Sequence, residues 1–180
     1  MLKDTLRQKL LEIARRSVEG YLKDGKVPTF VVAEPELREE RAAFVTLTKQ
    51  GRLRGCIGYT DPTLPLYQTV ASCAVCAAFS DPRFPPLRKE ELSQIRIEIS
   101  ILTPLKKIED TSEVQVGRDG LLIKKGSRRG LLLPQVATEW GWDKETFLQQ
   151  TCCKACLPAD AWKEGAEIYT FSAEIFHEGP

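Results

Sequence analysis

Apolar residues recur at helical spacing at the start of the chain. Leu6, Leu10, Ile13, Ala14, Val18 and Tyr21 form one stripe, with charged residues on the opposite face. This period predicts an amphipathic helix, closed by Gly20 and the run KDGKVP at 23–28. The pattern then changes. AAFVTLTKQGRLRGCIGY, 42–59, reads as two short strands around a turn at Gln50 and Gly51. Residues 62–80, PTLPLYQTVASCAVCAAFS, carry no charge and predict an Ala-rich helix from near Leu64. SDPRFPPL stops it, because its three prolines cannot continue a helix. That uncharged run approaches the ~20 residues of a membrane span. Its two prolines, Gln68, Thr69, two serines and preference for Ala over Leu or Ile fit a tightly packed buried helix better.

The cleanest strand is IRIEISIL, 95–102: Ile95, Ile97, Ile99 and Ile101 share one face, and Arg96, Glu98 and Ser100 the other. DGLLIKKGSRRGLLLP, 119–134, predicts a hairpin turning at Gly126 and Ser127. PQVATEWGW follows as a short helix ending at Gly141. Asp143 is a good N-cap for a helix running through Cys156, which Leu157 and Pro158 terminate. AEIYTFSAEIF, 166–176, is a final strand. Helices are interspersed with strands that pair through hairpins. The expected class is α+β, with a largely antiparallel sheet packed with helices.

Composition narrows this picture. A length of 180 residues without repeats or Ser/Gly-rich linkers predicts a single domain, 1–180. With 26 basic and 25 acidic residues, the chain lacks the cationic excess of a dedicated nucleic-acid binder. MLKDTLRQKLLEIARRS has no apolar stretch of signal-peptide type. The expectation is a cytoplasmic protein with no membrane association, whose six cysteines stay as free thiols.

Candidate chemistry centres on LRGCIG, 53–58. Alternation along a strand puts Leu53, Gly55, Ile57 and Tyr59 on the core face and Arg54, Cys56 and Gly58 on the other. A cation beside a cysteine favours the thiolate. Glycines at 55 and 58 permit a bulge or the close approach of a ligand or another backbone. The plainer alternative is a small packed cysteine beside a solvated edge arginine. Spacing leaves both open.

LRGCIG resembles the signature of the AMME chromosomal region protein family. The resemblance continues through DPRFPPL at 81–87, IRIEISILTPLKKI at 95–108, GLLIKKGSRRGLLLPQVA at 120–137 and WDKETFLQQTCCKACLP at 142–158. It covers nearly the whole chain. It implies an α+β fold with a larger and a smaller lobe, the smaller formed by roughly 110–160, a functional site at the hexapeptide, and no established activity. It also implies partners, since relatives occur with a Memo-type (extradiol dioxygenase-like) protein and a radical SAM protein. One local departure is KACLP where the family tends towards KAGLP, so Cys156 is not expected to carry a shared function.

Two function classes follow. In one, Cys56 is a nucleophile, Arg54 stabilises its thiolate or a substrate anion, and Glu98 orients Arg54; a small-molecule or protein-bound substrate would fit. In the other, which we favour, the hexapeptide strand is a binding or accessory surface for a Memo-type or radical SAM partner. Gly55, Gly58, Asp81 and Arg83 are its candidate binding residues, the last two because SDPRF matches the family. Cysteine–histidine catalysis has only His177 to draw on, close to the C-terminus. The pairs Cys73/Cys76 and Cys153/Cys156 fall inside predicted helices and lack zinc-knuckle turns. No metal site or cofactor is therefore expected. KKGSRRG reads as a solvated turn, and Trp140 and Trp142 as packing residues.

Overall fold

Helix α1 (Asp4–Asp24) forms on the apolar stripe, in a computed structural model that describes residues 1–179. It does not close at Gly20. It continues to Gly25, whose φ of 67° and N–H donated to the Tyr21 carbonyl end the last turn. Gly20 serves packing instead, since a Cβ there would lie 2.5 Å from the Pro28 ring. After the short α2 (Pro35–Arg38), strands β1 (Ala43–Lys49) and β2 (Arg52–Tyr59) form the expected hairpin. Its turn residues have φ of 52° (Gln50) and 74° (Gly51). Positive φ at both positions matches the right-handed twist of the two strands.

The uncharged run becomes α3 (Leu66–Phe79), packed against α1, β1 and β2. Apolar residues on nearly every side of α3 require that central place. Among the described residues no helix is long and apolar enough to cross a membrane. In β3 (Ile95–Leu102), the four alternating isoleucines are all buried.

The chain then builds a second unit, Thr103–Ala173. It contains β4 (Lys106–Ile108), β5 (Gly120–Lys125), β6 (Arg128–Leu132), α4 (Pro134–Trp140), α5 (Lys144–Lys154) and β7 (Glu167–Phe171). Its antiparallel sheet has the order β4-β7-β5-β6. Phe147, Leu148 and Cys152 of α5 join Leu121 and Ile123 of β5 in its core. Asp143 caps α5 as its sequence implies, its Oδ1 accepting the Thr146 N–H at 2.8 Å. The helix stops at Lys154, two residues short of the expected Cys156, because Cys156 turns to φ 57°. That is the left-handed region that favours glycine.

The last predicted strand is two strands. A break at Ser172 separates β7 from β8 (Ala173–His177). The Ser172 N–H donates to Thr103 Oγ1 at 2.8 Å, and its carbonyl accepts from the Thr103 N–H at 2.9 Å. β8 joins a different sheet, of order β2-β1-β3-β8, within the unit formed by residues 1–102 and the stretch from Glu174. The class is α+β, as expected, with two four-stranded sheets among the described residues in place of one. In the first, β2 is an edge.

Candidate functional site

Strand β2 meets β1 with one irregularity. Leu47 pairs with Gly55 and Thr48 with Leu53, which leaves Arg54 as the extra residue of a bulge. Before the bulge, alternation fails at one predicted position: Leu53 is 44% exposed and not part of the core. From Gly55 onward the expected faces hold. Gly55, Ile57 and Tyr59 lie opposite the buried Leu47, Val45 and Ala43. Cys56 lies opposite Thr46 on the outer face.

The bulge carries Arg54 inward until only 9% of its side chain is exposed. Its Nε donates to Glu91 Oε1 at 3.1 Å and its Nη2 to Glu91 Oε2 at 3.0 Å. Nη2 also donates to the Pro85 carbonyl at 2.9 Å, whereas the buried Nη1 has no acceptor among the described residues. Glu91 accepts further from Lys49 Nζ at 3.0 Å and the Arg88 N–H at 3.1 Å. Hydrogen bonding by Arg54, supported by Lys49 and the Arg88 amide, holds the Glu91 carboxyl down at about 2 against the opposing effect of burial. The carboxylate that Arg54 meets is thus Glu91, not Glu98. Glu98 pairs with Thr46 across β1, so two strand spacings, roughly 10 Å, separate it from Cys56.

The loop after α3 covers the edge of β2 at Cys56. The Cys56 N–H donates to Asp81 Oδ2 at 3.0 Å, and Arg83 Nη2 reaches the Cys56 carbonyl at 3.4 Å. Asp81 and Arg83 are tied to each other by Nε–Oδ1 at 3.0 Å and Nη2–Oδ2 at 2.7 Å. A carboxylate for the donor and a guanidinium for the acceptor take the place of a neighbouring strand at this residue. Arg83, ahead of the opposing burial and then aided by the Cys56 amide, holds the Asp81 carboxyl well below the usual carboxylate range. Because these backbone groups point away from β1, Thr46 and Cys56 form the closely spaced kind of antiparallel pair. Thr46 Oγ1 accordingly donates to Cys56 Sγ at 3.2 Å.

Both glycines are filled by the protein itself. A Cβ on Gly55 would lie 2.0 Å from the Ala77 carbonyl oxygen of α3, and one on Gly58 would lie 2.2 Å from the Phe44 ring. The close approach that these glycines permit is helix packing on one face and an aromatic cover on the other; neither position is open to a ligand. Phe84 completes the site, with the Arg54 guanidinium 5.9 Å and that of Arg83 5.6 Å from its ring centre.

The remaining candidates separate. His177 lies on β8, three strand spacings from β2, roughly 14 Å, and its Nδ1 lies 3.1 Å from Arg96 Nη2. Cys73 is buried, which pushes its thiol up to about 12. Among the described residues no three His, Cys, Asp or Glu side chains are grouped to hold a metal ion. The KKGSRRG turn is not merely solvated: Lys125 Nζ donates to the Glu164 carbonyl at 2.9 Å and Arg128 Nη1 to that of Cys156 at 2.8 Å. Trp140 is 71% exposed and stacks on Trp142 at 6.3 Å. Sequence reasoning missed Glu91, Thr46, Phe44 and Phe84. None of the four left a local signal; Glu91 accepts the Arg88 N–H three residues before it, but Arg88 is not a capping residue that the sequence would flag.

Comparison with known proteins covers nearly the whole chain. The AMMECR1 family model matches residues 11–176. Protein PF1979 of Pyrococcus furiosus is 47% identical, over 98% of this chain and 90% of its own. A protein of Methanothermobacter thermautotrophicus is 48% identical, over 94% and 92%. The crystal structure of the uncharacterized protein PH0010 from Pyrococcus horikoshii superposes with a TM-score of 0.93 at 45% identity, covering 99% of this chain and 96% of that one.

Proposed function

The chain belongs to the AMMECR1 family, and from that premise we propose that it is a binding or accessory module whose docking surface is the edge of β2. One observation carries the choice over catalysis: the groups that could activate Cys56 are engaged elsewhere. Arg54 is held by Glu91, and Asp81 by Arg83 and the Cys56 amide. A nucleophile needs an oriented base within reach. The surface suits a protein partner. Exposed Arg83 and Pro85 flank the half-buried Phe84, and exposed Leu53 precedes Arg54 on β2, a mixture of apolar, aromatic and basic groups typical of recognition sites. The partners implied by the family resemblance, a Memo-type or a radical SAM protein, are the first to test, in a cytosolic setting.

The second reading keeps Cys56 as a thiolate acting on a small molecule or protein-bound substrate. The Thr46 hydroxyl that donates to its sulfur at 3.2 Å favours it, because it holds that sulfur in place on the outer face of the strand. Calorimetric titration with each partner protein separates the readings. Docking predicts binding that survives Cys56→Ser and weakens at least about tenfold in Leu53→Asp and Arg83→Glu. Absence of binding to either partner, together with alkylation of Cys56 ahead of the exposed Cys153 and Cys156, would overturn docking in favour of thiol chemistry.

A further inference from the structure

A second group of cysteines lies at the C-terminal end of α5 and takes no part in the surface proposed above. Cys152 is buried, whereas Cys153 and Cys156 are both exposed free thiols. A reverse turn joins the exposed pair. The Cys156 N–H donates to the Cys153 carbonyl at 3.0 Å, and the Leu157 N–H to the Cys152 carbonyl at 3.0 Å. A turn closed this way holds its first and last Cα atoms within about 7 Å. A disulfide spans about 4.4–6.8 Å between Cα atoms.

The turn is held from beneath as well as from within. Arg128 Nη1 donates to the Cys156 carbonyl at 2.8 Å. Gly130 of β6 packs directly under it, where a Cβ would lie 2.4 Å from the Ala155 nitrogen. Cys156 also keeps a left-handed φ of 57°, a conformation that residues with a Cβ adopt only when their surroundings impose it. Two solvent-facing thiols are therefore presented at fixed separation by a supported backbone.

We propose that Cys153 and Cys156 are a redox couple that closes to an intramolecular disulfide on exposure to a peroxide. One thiolate attacks a peroxide oxygen, the O–O bond breaks, and the departing hydroxide takes up a proton to become water. The other thiolate attacks the sulfenic sulfur so formed; the S–S bond forms, the S–O bond breaks, and a second hydroxide leaves as water. The two thiols lose two electrons and the peroxide gains them. Closure across the end of α5 fixes Cys156 in its left-handed turn and stiffens the seat on which β6 rests.

The test uses the full chain, reduced, freed of reductant and treated with equimolar hydrogen peroxide before alkylation. Trypsin cuts after Lys144, Lys154 and Lys163 and so parts the two cysteines. The expected result is an intact mass lower by about 2 Da before alkylation, with peptides 145–154 and 155–163 joined after it until reductant is added. In Cys153→Ser the link is lost and Cys156 stops at the sulfenic acid, which dimedone traps. A link that persists in Cys153→Ser, a disulfide between two molecules, or independent oxidation of both thiols in the native chain overturns the proposal.

Discussion

Arg54 forms a two-point ion pair with Glu91 and Arg83 one with Asp81, and both lie over Phe84, yet their side chains are 9% and 54% exposed. The Arg54–Glu91 pair sits beneath the bulge and draws in Lys49 and the Arg88 amide. It anchors β2 to the segment carrying Glu91. The Arg83–Asp81 pair lies at the rim and addresses main chain, covering the donor and acceptor of one edge residue. The same chemistry therefore does two jobs, and depth decides which: a buried guanidinium must have its carboxylate, whereas an exposed one has water as an alternative.

The comparison breaks most sharply at Glu91. Glu91→Ala leaves Arg54 buried without its partner, and urea unfolding should show a loss of about 3–5 kcal/mol; a loss no larger than that of Arg83→Ala would equate the two pairs. Acid sharpens the same point. A carboxyl held near 2 in the fold and near 4.5 when unfolded contributes stability that is present above pH 4.5 and lost as pH falls towards 2. The acid limb of the stability–pH curve should flatten in Glu91→Gln.

Gly55→Ala comes next. Its methyl meets a helix carbonyl rather than a movable side chain, so about 1–3 kcal/mol should be lost. Gly58→Ala meets only the Phe44 ring and should cost less. Asp81→Asn keeps an acceptor for the Cys56 amide but removes the charge facing Arg83, and should cost about 1.5 kcal/mol. Hydrogen exchange at the Cys56 amide should accelerate with it. Arg83→Ala should cost the least, under about 1 kcal/mol, while leaving that amide protected by Asp81.

Much of the fold was legible because its signals are local. The isoleucine alternation of β3, the turn at Gln50–Gly51 and the Asp143 cap each depend on a few neighbouring residues. The failures were those of reach. Gly20 and Leu53 were misplaced because a proline eight residues on and a bulge altered their surroundings. The strand predicted over 166–176 divided at Ser172, whose partner is Thr103, and no period within the strand encodes that contact. At the site, Arg54, Cys56, Asp81 and Arg83 come together, whereas Glu91 displaced Glu98 as the carboxylate of Arg54.

By itself the sequence determined the α+β class, most elements and the family, and marked the stretch that carries the candidate site, because hydrophobic period, turn residues and short motifs act at short range. Only the tertiary structure decided which charges meet, that the motif's glycines are filled by Ala77 and Phe44, and that β2 is an edge closed by Asp81 and Arg83. The physical reason is that an ion pair or a close contact depends on separation in space. Residues 54 and 91, or 56 and 81, are brought within 3.1 Å only after helix α3 and its flanking loop have packed.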